Sequence, residues 1–231
     1  MSLFAIADTH LSFGTDKPMD IFHGWENFEQ RLSENWQSVV TSRDTVVIAV
    51  DISWGLDMRQ AVPDFRFLHE LPGQKIILKG NHDFWWSTKK KADTCFAENG
   101  LDTLSVLFNN AYAVGNVAVC GTRGWLADSA GEEDRKVLLR EAGRLRMSIA
   151  AAKETGREPV VFLHYPPVSA DGTWCPEIFE VLQQEEIRRC YYGHLHGASC
   201  KNAINSERDG IRLQLISCDF LHFMPILIDN F

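Results

Sequence analysis

The chain has 231 residues, enough to bury a sizeable core; 45% of them are hydrophobic and 23% are charged, as in an ordinary globular protein. The formal net charge of -8 argues against general electrostatic binding of nucleic acid, because such binding needs a basic surface. The first residues lack the basic segment of a signal peptide, no apolar run reaches the length of a membrane span, and the six cysteines form no Cys-x-x-Cys pair. We therefore expect a cytoplasmic protein with reduced thiols and no membrane anchor.

Strand and helix patterns alternate along the chain. An apolar run at residues 3–7 is followed by a helical stripe at spacings of three and four, formed by Trp25, Phe28, Leu32, Trp36 and Val39. Runs at 45–50 and 75–78 flank a second stripe, formed by Ala61, Phe65 and Leu68. Further runs lie at 117–120, 160–163, 189–192, 211–217 and 224–228, and a third stripe contains Val137, Leu138, Leu145 and Ile149. Apolar strands separated by helices predict a layered α/β sandwich, in a single domain over residues 1–231.

Short polar clusters, which hold five of the eight histidines, follow the predicted strands. The segment 8–10 (Asp-Thr-His) follows the first run, Asp51 ends the second, and the segment 80–83 (Gly-Asn-His-Asp) follows the third. Two later runs end at His164 and at the segment 193–197 (Gly-His-Leu-His-Gly). Because the carboxyl ends of the strands in an open α/β sheet carry its site, we expect these clusters to converge at one sheet edge.

Each cluster alone has an ordinary structural explanation. Asp8 and His10 could form a turn, although their i, i+2 relation lets both side chains point to one side if the backbone stays extended. Asp51 could be a turn or cap residue, and His164 could be a hydrogen-bonded core histidine. The glycines around the His-x-His pair permit unusual backbone angles and close metal approach. The clusters together, in this order and position, indicate one two-metal hydrolase centre.

The chain resembles the calcineurin-like metallophosphoesterases of the bacterial predicted-phosphohydrolase type. The resemblance extends from near the first residue to about position 197 and rests on the ordered motifs Asp8-x-His10, Asp51, Gly80-Asn81-His82-Asp83, His164 and Gly193-His194-x-His196. It implies a four-layer α/β/β/α sandwich, with mixed sheets flanked by helices, that binds two divalent metal ions.

The resemblance also implies a role for each motif residue. One ion would be held by Asp8, His10, Asp51 and His196. The other would be held by Asp51, Asn81, His164 and His194, so that Asp51 bridges the two ions. His82 would contact the scissile phosphate or the leaving group, and Asp83 would orient it.

The chemistry of these residue types favours the same interpretation. Carboxylate, imidazole and amide ligands without thiolate favour Mn, Fe, Zn, Co or Ni. A metal-bridging hydroxide would attack phosphorus, and His82 could protonate the leaving oxygen. We therefore predict a dinuclear phosphoesterase for phosphomonoesters or phosphodiesters of a small or nucleotide-like substrate. A nuclease on the same core and a non-catalytic interaction module are the alternatives; the complete ligand set favours an enzyme, and the acidic balance disfavours nucleic acid as its partner.

Several features near the motifs leave alternatives open. Val50 stands before Asp51, where the family usually has Gly. Arg123, in a glycine-bracketed loop, could clamp a phosphate bidentately or form a salt bridge. The loop at residues 11–25 is long and could form part of the substrate rim. Tryptophans beside the motifs could stack on a base or pack in the core: Trp54, Trp85, Trp86 and Trp125. The oligomeric state is not indicated by the sequence.

Overall fold

A computed structural model describes residues 1–126 and 131–231. Its strands are β1 (Ser2–Ala7), β2 (Thr45–Ala49), β3 (Gln74–Leu78), β4 (Leu104–Val106), β5 (Tyr112–Val114), β6 (Val117–Thr122), β7 (Glu158–Leu163), β8 (Arg189–Tyr192), β9 (Glu207–Arg208), β10 (Ile211–Leu215) and β11 (Ile226–Asn230). Its helices are α1 (Phe28–Val39), α2 (Met58–Glu70), α3 (Lys89–Glu98), α4 (Glu132–Glu154) and α5 (Pro176–Gln184), with a 3-10 helix at Gly197–Asn202.

The strands form two mixed sheets flanked by helices, which confirms the predicted α/β class. The chain divides into two compact units: unit 1 is Met1–Val106 with Ile216–Phe231, and unit 2 is Leu107–Leu215. The single domain over residues 1–231 stays a prediction. Within the described ranges, no helix is both long and apolar enough to cross a membrane.

The apolar patterns predict the positions of the longer strands well, but they do not reveal the short or polar elements. The last run, predicted at 224–228, is observed two residues later as β11. The sequence prediction missed β4, β5 and β9, which have only two or three residues, and α5, which has nine. The three lysines at 89–91, for which the sequence favours a solvated helix face, begin α3, which buries only Ala92 and Phe96. Trp25 is buried as expected but lies outside α1, which begins at Phe28.

The sheet of unit 1 has the order β11-β1-β2-β3-β4. Its first four strands in chain order are parallel, and β11 pairs antiparallel with β1. The register places the strand ends Ala7, Ala49 and Leu78 in one row. The loops that carry the first three predicted motifs therefore leave the sheet from the same edge.

The sheet of unit 2 has the order β5-β6-β7-β8-β10-β9. Strands β6, β7, β8 and β10 are parallel, and the two outer strands β5 and β9 pair antiparallel with their neighbours. Thr122, Leu163 and Tyr192 form one row at the strand ends. Arg123 and His164 follow that row directly, as does the segment 193–197.

Candidate metal centre

Asp8 and His10 follow β1 on a sharply bent backbone. Their φ angles are 58° and 47°, so the backbone is not extended here, and the i, i+2 relation does not by itself place the two side chains on one side. Few residues other than glycine adopt such angles, and they persist where the surroundings hold them. Here the backbone N–H of Asp8 donates to the Val50 carbonyl at 3.0 Å, and that of His10 donates to the Asp51 carbonyl at 2.9 Å. A carboxylate oxygen of Asp8 nevertheless lies within 4.8 Å of a ring nitrogen of His10.

Asp51 lies beside Asp8, after an unusual turn. Val50 and Asp51 have φ angles of 74° and 41°. Val50 thus holds a backbone conformation that glycine adopts without cost, which explains why glycine suits this position in the related family. Carboxylate oxygens of Asp8 and Asp51 lie within 4.8 Å of each other, and both side chains are buried. The Asp51 Oδ1 accepts a hydrogen bond from the His82 backbone N–H at 2.8 Å.

Gly80 leaves room for the Asp51 carboxylate. A Cβ atom on Gly80 would lie 2.0 Å from Asp51 Oδ1 and 2.6 Å from the Asp51 backbone nitrogen. Both distances are far inside van der Waals contact. The first residue of the Gly-Asn-His-Asp motif is therefore required by the close approach of the two loops.

Asp83 joins the loops after β2 and β3. Its Oδ1 accepts hydrogen bonds from the backbone N–H groups of Ile52 and Ser53 and from the Trp85 indole, at 2.8, 3.1 and 2.8 Å. Its Oδ2 accepts from the Gly80 N–H at 2.7 Å. Among the described residues, these four donors engage both oxygens. Any influence of Asp83 on His82 would act through the loop backbone, and the orienting role assigned to Asp83 stays a prediction.

The carboxylates of unit 1 are buried close together. Burial, together with the neighbouring charges of Asp83 and Asp8, raises the pKa of Asp51 to about 9. Burial also raises the pKa of Asp83, against the lowering effect of its hydrogen bonds. A divalent cation would allow these groups to remain ionised, because it supplies the opposite charge that the site lacks. The carboxylate and imidazole donors present fit such an ion.

Aromatic rings surround His10 and His82. The Trp54 ring stacks on His10, with a centroid distance of 5.0 Å, and lies 4.6 Å from the His82 ring. The centroids of the two histidine rings are 5.9 Å apart. Exposed Phe84 lies 6.0 Å from His82, whereas Trp85 is buried against Phe65. Trp54 thus borders the site, and Trp85 is a core residue.

Two supporting residues were not found from the sequence. The Ser217 hydroxyl donates to Asp8 Oδ2 at 2.8 Å, from a segment that returns to β1 after unit 2. Asp64 on α2 accepts a hydrogen bond from the Ser53 hydroxyl and one from the Phe13 backbone N–H, the latter at 2.7 Å. No pattern in the sequence marks Ser217. The sequence could have indicated Asp64, because a carboxylate there interrupts the apolar stripe of α2.

In unit 2, His164 and His194 lie next to each other. His164 Nε2 and His194 Nδ1 are 3.1 Å apart, and the rings are inclined by 77°. His164 is fully buried, and His194 has a φ angle of 74°. The His164 N–H donates to the Arg123 carbonyl at 3.0 Å. Two imidazole nitrogens that share one small space are suited to a common ligand.

His196 and Arg123 occupy the neighbouring loops of unit 2. The His196 N–H donates to Ser199 Oγ at 2.9 Å, at the start of the 3-10 helix. Asn81, in unit 1, is half-buried in the loop after β3. The Arg123 guanidinium carbon lies 4.6 Å from the centroid of the Trp125 ring. Among the described residues, the buried Arg123 Nε has no hydrogen-bond partner. The predicted ligands are thus grouped within each unit, and their metal assignments stay predictions.

Comparisons with solved structures support the fold. A protein of unknown function from Aquifex aeolicus, AQ665, is 17% identical, with a TM-score of 0.52, over 98% of this chain and 95% of that chain. Phosphopantetheinyl hydrolase from Mycobacterium tuberculosis is 14% identical, with a TM-score of 0.53, over 94% and 88%. TT1561 of Thermus thermophilus is 12% identical, with a TM-score of 0.56, over 84% and 81%. At such identities, the similarity shows the fold alone.

The family model provides the family assignment. No curated protein matches the sequence. The model of the calcineurin-like phosphoesterases matches residues 1–198, which include every motif residue that carried the resemblance. The chain therefore belongs to the calcineurin-like phosphoesterase family.

Proposed function

We propose that this protein is a dinuclear metal-dependent phosphoesterase that hydrolyses phosphomonoester or phosphodiester bonds of a small or nucleotide-like substrate. The observation that carries the proposal is the buried cluster in unit 1, where Asp8 has ligand atoms within 4.8 Å of both His10 and Asp51. Such a cluster is costly without a cation and suited to one. The match of the family model to residues 1–198 supports a phosphoester as the substrate.

The proposed ligand set is the one that the family resemblance implies. Asp8, His10, Asp51 and His196 would hold one ion. The second ion would be held by Asp51, Asn81, His164 and His194. Mn, Fe, Zn, Co or Ni would suit these donors. When bound, the ions supply Lewis-acid stabilisation of the phosphoryl oxygens and lower the pKa of a coordinated water.

The residues of the chain then have distinct tasks. His82, half-buried beside Trp54, would donate a proton to the leaving oxygen, because imidazole titrates in the working range of pH. Asp83, through its hydrogen bonds, and Gly80, through its small size, would hold the loops after β2 and β3 close together around Asp51. Arg123 would hold a non-reacting phosphoryl oxygen through its guanidinium.

Metal content and turnover of matched variants test this function. Asp51→Asn should lose metal occupancy and hydrolysis of p-nitrophenyl phosphate and bis-p-nitrophenyl phosphate. The exposed helix cap Asp57→Asn should lose neither, because asparagine caps as well as aspartate. His82→Ala should retain both ions and lose about 10² to 10⁴ in rate, with His69→Ala on α2 as its control. A protein that binds no Mn²⁺, or an Asp51→Asn variant that binds two ions normally, would contradict the proposal.

A further inference from the structure

The loop between β1 and α1 is anchored beside the metal centre of unit 1. The Phe13 N–H donates to buried Asp64 at 2.7 Å. The Trp54 indole N–H donates to the Sδ atom of Met19 at 3.3 Å, and Met19 is buried. Trp25 packs against His10, with ring centroids 5.8 Å apart. The residues between Phe13 and Met19 are thus held at both ends.

Lys17 lies between these anchors and is exposed to solvent. Its Nζ atom lies 4.0 Å from the centroid of the Trp54 ring, a cation-π contact that limits where the ammonium group can reach. Among the described residues, Lys17 forms no ion pair. An ammonium group has three N–H donors, and the face of a ring satisfies few of them. The cation is therefore positioned and still available to an anion.

The Trp54 ring contacts both this cation and the histidines of the proposed reaction site. The same ring stacks on His10 and lies 4.6 Å from the His82 ring. Lys17 Nζ is therefore within about 9 Å of the centre of the His82 ring, which is inside one Debye length at 0.1 M salt. A negative charge a few bonds from the reacting phosphorus would lie within reach of this ammonium group.

We propose that Lys17 binds a second anionic group of the substrate, a carboxylate or a phosphate on the leaving group. The inference rests on the proposed function and narrows its substrate class to phosphoesters that carry another negative charge. Trp54 is the positioning residue, because its ring places the Lys17 ammonium relative to His82. In a chain with a net charge of -8, a held cation at this point would select anionic substrates over neutral ones.

Three phosphonates that cannot be hydrolysed test the proposal by binding alone. Phenylphosphonate has no second anion, 4-carboxyphenylphosphonate adds a carboxylate, and 1,4-phenylenebisphosphonate adds a second phosphonate. Calorimetric titration of the Mn²⁺-loaded protein should show about five- to tenfold tighter binding of at least one two-anion ligand than of phenylphosphonate. Lys17→Met should remove that difference and leave the phenylphosphonate affinity within about twofold. The control Lys90→Met, an exposed lysine on α3, should change nothing.

The arms of the experiment separate the possible results. Whichever two-anion ligand loses affinity in Lys17→Met identifies the group that Lys17 binds. An unchanged preference, no preference in the wild type, or an equal loss for all three ligands would overturn the proposal. The last result would place Lys17 on the reacting phosphate. Hydrolysis of bis-p-nitrophenyl phosphate is measured separately. If the protein hydrolyses this diester but does not prefer a two-anion phosphonate, only this inference is refuted. If it prefers a two-anion phosphonate but hydrolyses no phosphoester, only the proposed function is refuted.

Discussion

Gly80→Ala should displace the Asp51 carboxylate although it replaces none of the predicted ligands. The added Cβ would lie 2.0 Å from Asp51 Oδ1, 2.7 Å from Cγ and 2.6 Å from the backbone nitrogen. Rotation of the Asp51 side chain could relieve the first two contacts but not the third, so the loops themselves must separate. Overpacking of this kind costs about 1 to 3 kcal/mol of stability.

The larger effect should fall on metal binding. A functional constellation tolerates displacements of only about 0.5 Å, and the Asp51 oxygen must move by more than that. Loss of an outer-shell partner already costs about 10- to 100-fold in metal affinity. Displacement of the proposed bridging ligand should cost at least about 100-fold.

Calorimetric titration with Mn²⁺ and urea unfolding measure the two effects separately. Gly143→Ala is the matched control: Gly143 lies in α4, and an added Cβ there would meet nothing within 4 Å. This control should bind Mn²⁺ normally and be more stable by roughly 0.5 to 1 kcal/mol. A Gly80→Ala protein that binds two ions with wild-type affinity would refute the reasoning from the Asp51 contact.

Two further substitutions test the supporting residues. Ser217→Ala removes the 2.8 Å hydrogen bond to Asp8 Oδ2 and should weaken Mn²⁺ binding by about 10- to 100-fold, measured by titration; an unchanged affinity would rule out this support. Burial raises the pKa of Asp64 from 3.8 to about 6, so the native state binds an extra proton between these values. Raising the pH from about 4 to about 6 should therefore lower the free energy of unfolding of the wild type, relative to that of Asp64→Asn, by up to about 3 kcal/mol, measured by urea unfolding. A difference between the two proteins that does not change with pH would contradict a raised pKa for the buried carboxylate.

The strand ends explain why the sequence could predict that the candidate site residues within each unit lie close together. Asp8 and Asp51 follow apolar runs that pair in parallel, and Ala7 and Ala49 stand side by side in the register. A parallel sheet brings such positions together whatever the sequence between them. The same reasoning applies to Arg123 and His164 in unit 2, where Thr122 and Leu163 are paired.

The support around those residues could not be predicted in the same way. Ser217 contacts Asp8 from a position 209 residues further along the chain, and a lone serine carries no periodic signal. The resemblance implies that Asp83 orients His82, but it does not indicate that the hydrogen-bond donors to Asp83 are backbone groups of two loops and one indole. Contacts between distant segments depend on side-chain packing, which spacing does not reveal.

The sequence by itself determined the α/β class, the family and the order of the motif residues, because strand periodicity and strand-end placement are local properties of the chain. The tertiary structure decided how the motifs are held: the left-handed backbone at Asp8 and Val50, the space that Gly80 leaves, and the position of Lys17 over Trp54. These features arise where separate loops meet, and each is set by the steric and electrostatic demands of its neighbours. The histidines and aspartates indicate the chemistry, and the loops around them hold the features that we propose select the substrate.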